Sequence, residues 1–143
     1  MIFWENQKII RALYTQCTKP VCNRFGLTQM EYDIMMFLHN NPQYDTAADL
    51  VKTRMLTKSH VSAALKALED KRYIERSHRN GNRKSVHLKI TDAAEAVVIA
   101  GENAQKNFAG KLFKGFSDAE FTQCRALFSR MCENARNGIQ LEV

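Results

Sequence analysis

Long hydrophobic runs are missing from this sequence: no uninterrupted apolar stretch exceeds five residues, as at 34–38, in a chain of 143. A helix that crosses a bilayer needs about 20 consecutive apolar residues, so no membrane partner is expected. The opening MIFWENQK has neither the basic start nor the extended apolar stretch of a secretory signal, and a cytoplasmic location is expected. Cysteine is sparse, with four residues (Cys17, Cys22, Cys124 and Cys132) and no CxxC pair. A zinc ribbon is therefore not expected, and the thiols should stay reduced in that compartment. There is no glycine-rich phosphate loop, no Ser/His/Asp setting and no cluster of metal ligands, so neither an enzyme nor a metal or other cofactor is expected. Internal repeats and low-complexity segments are also lacking.

What is present is a globular composition with an uneven charge. Hydrophobic residues make up 45% and charged residues 25%, which suits a soluble folded chain rather than a disordered one. The length fits one domain. Residues 52–89 hold 11 Lys/Arg against 3 Asp/Glu, a local +8, whereas the rest of the chain holds 10 against 12. All of the net +6 thus comes from one segment. A basic balance favours a polyanionic partner, and its segregation marks where that partner binds.

Apolar spacing predicts a mainly α chain with one small β element. An amphipathic helix is expected over about 2–24, kinked or split by Pro20 and stopped at Gly26. Thr28 and Glu31 form a Thr-x-x-Glu capping box, with Leu27 and Tyr32 as staple, opening a core helix that Asn40-Asn41-Pro42 ends. Thr46 can cap a short helix over 47–52, and Thr57 a fourth. Val61, Ala64, Leu65 and Leu68 form its buried stripe, leaving Lys58, Ser59, Ser62, Ala63 and Lys66 facing away. Asn80-Gly81 suits a type I′ turn between a strand after Tyr73 and a return strand to Ile90. Thr91 should cap a long helix to about Lys114. Ser117 and Glu120 form a second capping box, stapled by Phe116 and Phe121, for a last helix ending at Asn137 before Gly138.

Two short helices followed by a basic hairpin constitute a winged helix-turn-helix, a device that reads double-stranded DNA. Ser59, His60, Ser62, Ala63 and Lys66 are assigned to the major groove, with Thr57 and Lys58 nearer phosphate. Arg83 is the candidate for minor-groove insertion, and Arg79 and Lys84 for the backbone. The first helix and the last two each carry a wide apolar stripe outside the winged-helix body. Burying each large side chain gains about 1.5–3 kcal/mol, so a homodimer on palindromic DNA is expected.

The chain resembles the MarR family of bacterial transcriptional regulators. The junction Leu68-Glu69-Asp70-Lys71-Arg72-Tyr73-Ile74-Glu75-Arg76 is similar to the family's Leu-Glu-x-x-Gly-Leu-Ile-x-Arg. The run from Asn82 through Arg83, Val86, Leu88 and Ile90 to Thr91-Asp92 is similar to its wing signature, Asp-x-Arg followed by alternating apolar residues and Leu-Thr. Arg72 stands where the family usually has glycine at a left-handed helix end, at a cost of about 1 kcal/mol. Asn80 and Asn82 replace acidic residues often found at the wing.

The resemblance implies one domain over 1–143: a DNA-binding region at 28–91, and dimerisation helices at 1–25 and 92–143. It implies a repressor released by a small-molecule or oxidant effector. Cys17, Cys22, Cys124 and Cys132 are then the redox candidates, against the alternative of small buried hydrophobes. Phe3, Trp4, Tyr14, Tyr32, Phe37, Phe108 and Phe113 are candidates for an effector pocket, or simply core. The long helix lacks the His-x-x-x-His of metal-sensing relatives. The competing reading is a winged helix that binds protein and not DNA.

Overall fold

The computed structural model describes residues 3–78 and 86–141. They form α1 (Phe3–Phe25), α2 (Gln29–Asn40), α3 (Ala47–Arg54), α4 (Lys58–Asp70), β1 (Ile74–His78), β2 (Val86–Ile90), a 3-10 turn (Asp92–Ala94), α5 (Glu95–Leu112) and α6 (Asp118–Leu141). The chain divides into two compact units, 1–108 and 109–143. No helix among the described residues is long and apolar enough to cross a membrane.

In the first unit, α1 passes through Pro20 without being split. Pro20 is exposed, so the carbonyl left without its amide donor is close to solvent. Gly26 ends the helix at φ 64°, and the Leu27 N–H donates to the Cys22 carbonyl at 2.9 Å. The second half of α1 is not outside the winged-helix body. Cys17, Thr18, Val21 and Cys22 are buried, and Val21 and Cys22 belong to the common core.

Half of the expected capping box forms at α2. Thr28 Oγ1 accepts the Glu31 N–H at 3.1 Å, but the Glu31 carboxylate is buried with Oε1 3.5 Å from Lys71 Nζ. An ion pair with the end of α4 replaces the reciprocal bond to the cap. Tyr32, Ile34, Met35 and Met36 are at most 1% exposed, which makes α2 the central helix. At α3 the box is complete, Thr46 accepting from the Asp49 N–H at 3.1 Å and Asp49 Oδ2 from the Thr46 N–H at 3.2 Å.

α4 buries Val61, Ala64, Leu65 and Leu68, the stripe expected from spacing. Its end is a Schellman motif closed on Arg72 at φ 64°: Arg72 N–H donates to Glu69 O at 2.9 Å, and Tyr73 N–H to Leu68 O at 3.0 Å. The antiparallel strands pair from Ile74↔Ile90 to His78↔Val86. Asn80-Gly81 and its expected turn lie outside the described residues.

Thr91 does not cap α5. Its hydroxyl donates to Arg72 O at 2.6 Å, and its N–H to Tyr73 O at 3.0 Å, tying the wing base instead. α5 crosses α2 at Gly101, whose carbonyl accepts the Tyr32 hydroxyl at 3.2 Å. In the second unit the Ser117/Glu120 box forms, at 2.9 and 3.1 Å. The expected staple is mediated by Phe113, whose ring packs edge-on against Phe116 and Phe121 at 5.4 and 4.7 Å. α6 does not stop at Asn137 but runs through Gly138 to Leu141. A helix end marked only by a glycine is a weak stop, since nothing but about 1 kcal/mol of propensity opposes continuation.

Candidate nucleic-acid interface

The turn between α3 and α4 sets the presentation of α4. Met55 closes α3 in a left-handed conformation at φ 54°, and Thr57 opens α4 by accepting the His60 N–H at 3.3 Å. The amides of the first helical turn before His60 have no intrahelical acceptor, so this end of α4 carries partial positive charge toward solvent. Thr57, Lys58, Ser59, His60, Ser62, Ala63 and Lys66 are all exposed. The four-residue stripe beneath them is what forces this, since burying Val61, Ala64, Leu65 and Leu68 turns the opposite face outward.

Arg79, Arg83 and Lys84 lie outside the described residues. Arg76, on β1, is a base that spacing did not single out. With Lys58 and Ser62 it lines a cavity of about 370 Å³ whose remaining walls are Ala47, Ala48, Val51, Val61 and Leu65.

Part of the local positive charge is paired with the protein's own carboxylates. Arg54 Nη2 lies 3.9 Å from Asp33 Oδ2 and its guanidinium 5.8 Å from the centroid of Phe37. Lys71 faces Glu31, and Arg76 Nε donates to Glu69 Oε2 at 2.9 Å. Lys52, Lys58 and Lys66 remain exposed. Sequence charge counts cannot separate these groups, because pairing across helices depends on the tertiary fold.

The redox and effector candidates separate into different places. Cys17 and Cys22 are buried, Cys124 is exposed and Cys132 half-buried, all as free thiols. Burial pushes the Cys22 thiol up, with the Asp33 carboxylate adding to it, the reverse of what a reactive thiolate needs. Tyr14 meets Phe108 edge-on at 5.1 Å and Tyr32 at 6.5 Å. Phe37 stacks instead on Tyr44 at 6.3 Å, Trp4 is exposed, and Phe113 belongs to the 109–143 unit. The Phe3 side chain lies outside the described residues. Beside the tyrosines, Gln29 Nε2 donates to Asp33 Oδ1 at 3.0 Å, and burial holds the Asp33 carboxyl above its ordinary range.

Residues 25–85 match the family model described as MarR family. The uncharacterized HTH-type transcriptional regulator YpoP of Bacillus subtilis is 29% identical over 133 residues, covering 91% of this chain and 93% of that protein. The HTH-type transcriptional regulator PecS of Dickeya dadantii is 24% identical over 124 residues, covering 85% and 75%. A MarR family transcriptional regulator from Listeria monocytogenes, solved in complex with 26mer DNA, superposes with a TM-score of 0.84 at 19% identity, covering 96% of this chain and 91% of that one. Winged-helix geometry, the family model and the curated relatives converge: residues 25–85 are similar to the MarR family, and most of the chain is similar to HTH-type transcriptional regulators.

Proposed function

We propose that the chain is a homodimeric repressor that binds palindromic double-stranded DNA and is released by a small-molecule or oxidant effector. The observation that carries the reading is the outward face of α4: small polar side chains and two lysines, Lys58 and Lys66, stand exposed over a fully buried stripe. Such a face fits a groove about 12 Å wide, where Ser59, His60, Ser62, Ala63 and Lys66 reach base edges and Thr57 and Lys58 meet phosphate. Arg83 is assigned to the minor groove, with Arg79 and Lys84 on the backbone. That the Listeria monocytogenes relative was solved on DNA supports the assignment. In this reading 28–91 is the DNA-binding region of a single domain, and 1–25 and 92–143 supply the dimer contacts.

Exposed apolar residues support the dimer: Trp4, Ile9 and Ile10 on α1, and Leu127, Phe128, Met131 and Ile139 on α6. Leaving so many large apolar side chains in water is unfavourable, and a second copy would cover them. An effector acts by binding the released geometry more tightly than the DNA-bound one.

The test is binding to a duplex selected by the protein from random-sequence DNA, repeated across salt concentrations. Affinity should fall steeply with salt; Lys66→Ala should cost about 1–3 kcal/mol and relax specificity at one position, and Lys58→Ala should flatten the salt slope by about one unit. Salt-independent binding, or capture of protein without any DNA selection, would favour the protein-interaction module instead.

A further inference from the structure

We propose that His87, acting through its pair with Asp45, is a positioning residue that holds the strands β1 and β2 of the wing at the angle at which the wing meets DNA; the proposal rests on the DNA-binding reading above. Two five-residue strands do not hold themselves in place, because an isolated hairpin is marginal in water. The hairpin's direction is therefore set by its attachments. At the base, Thr91 bonds to Arg72 O and Tyr73 O at 2.6 and 3.0 Å. Further along, Ile74 and Leu88 are buried, and the Leu88 N–H donates to Asp45 O at 2.7 Å.

Beyond these lies His87, which pairs with Ser77 in the ladder, one position short of His78↔Val86, and bridges to Thr46 through the backbone. Its Nδ1 is 3.0 Å from both carboxylate oxygens of Asp45. A carboxylate only accepts here, so Nδ1 carries the proton. Both side chains are 19% exposed, whereas those of the Arg76–Glu69 pair are 37% and 42% exposed and more fully screened. Asp45 precedes Thr46, the cap of α3, so the His87 pair joins the wing directly to the start of the helix-turn-helix.

The test uses the full chain and a duplex selected by the wild type from random-sequence DNA. It reads affinity, hydroxyl-radical protection at the centre and at the flanks of each half-site, and the urea unfolding midpoint. Asp45→Ala and His87→Phe should lose flank protection and about tenfold in affinity, with central protection and midpoint retained. Asp45→Asn keeps the acceptor and should restore the flanks. The proposal is overturned if both variants keep wild-type flanks and affinity, or if centre and flanks fade together with the midpoint. His87→Phe keeps the ring volume and decides the matter should Asp45→Ala not fold. A wild type that selects no duplex overturns the DNA-binding reading itself, before any variant is made.

Discussion

A methyl group on Gly101 would sit 2.5 Å from Met36 Sδ and 3.3 Å from Tyr32 Cε2. Glycine is required there by the close approach of α5 to α2, and Gly101→Ala should lower stability by about 1–3 kcal/mol, measured by urea unfolding. The flexible thioether of Met36 places the loss toward the lower end. Arg72 is the opposite case. Its φ of 64° strains a residue with a Cβ, while its backbone still makes both Schellman bonds. Arg72→Gly should therefore raise the unfolding free energy by about 0.5–1 kcal/mol. The family-like junction made this position readable from sequence, since glycine is the residue usually found there.

At the scale of elements, polar side chains link α1, α2 and α3. Thr18 Oγ1 bonds the Tyr14 carbonyl at 3.0 Å and meets Gln29, which donates to Asp33, which faces Arg54. The Asp33 carboxyl is held above the ordinary value of 3.8, first by burial. The native state thus holds this proton more tightly than the unfolded chain does. The associated stability is fully present below the unfolded value and is lost as pH rises through the folded one. Asp33→Asn keeps an acceptor for Gln29 and removes the titration. Urea midpoints at a series of pH values should show the wild type gaining on the variant as pH falls from neutrality into the carboxylate range.

For the whole molecule, α1 and α6 leave several large apolar side chains exposed among the described residues. The proposed dimer predicts that Phe128→Asp, at a side chain 62% exposed, shifts the protein toward monomer in sedimentation velocity. Burying an aspartate in an apolar interface costs several kcal/mol, so the shift should be large at micromolar concentration. Binding to a palindrome should weaken much more than binding to a half-site, because only the palindrome uses both copies.

Local signals in the sequence sufficed for the element order, the caps at Thr46, Thr57 and Ser117, the buried stripe of α4 and hence its outward face. Each depends on residues within one or two helical turns, where spacing and side-chain chemistry act directly. Tertiary structure alone decided which bases stay free: Arg54 and Lys71 turn to Asp33 and Glu31 on α2, distant in sequence. It also decided that Thr91 ties the wing base, that α1 enters the core, and that His87 meets Asp45 across 42 positions. Such contacts depend on how helices and strands pack, and residue spacing along the chain carries no record of that geometry.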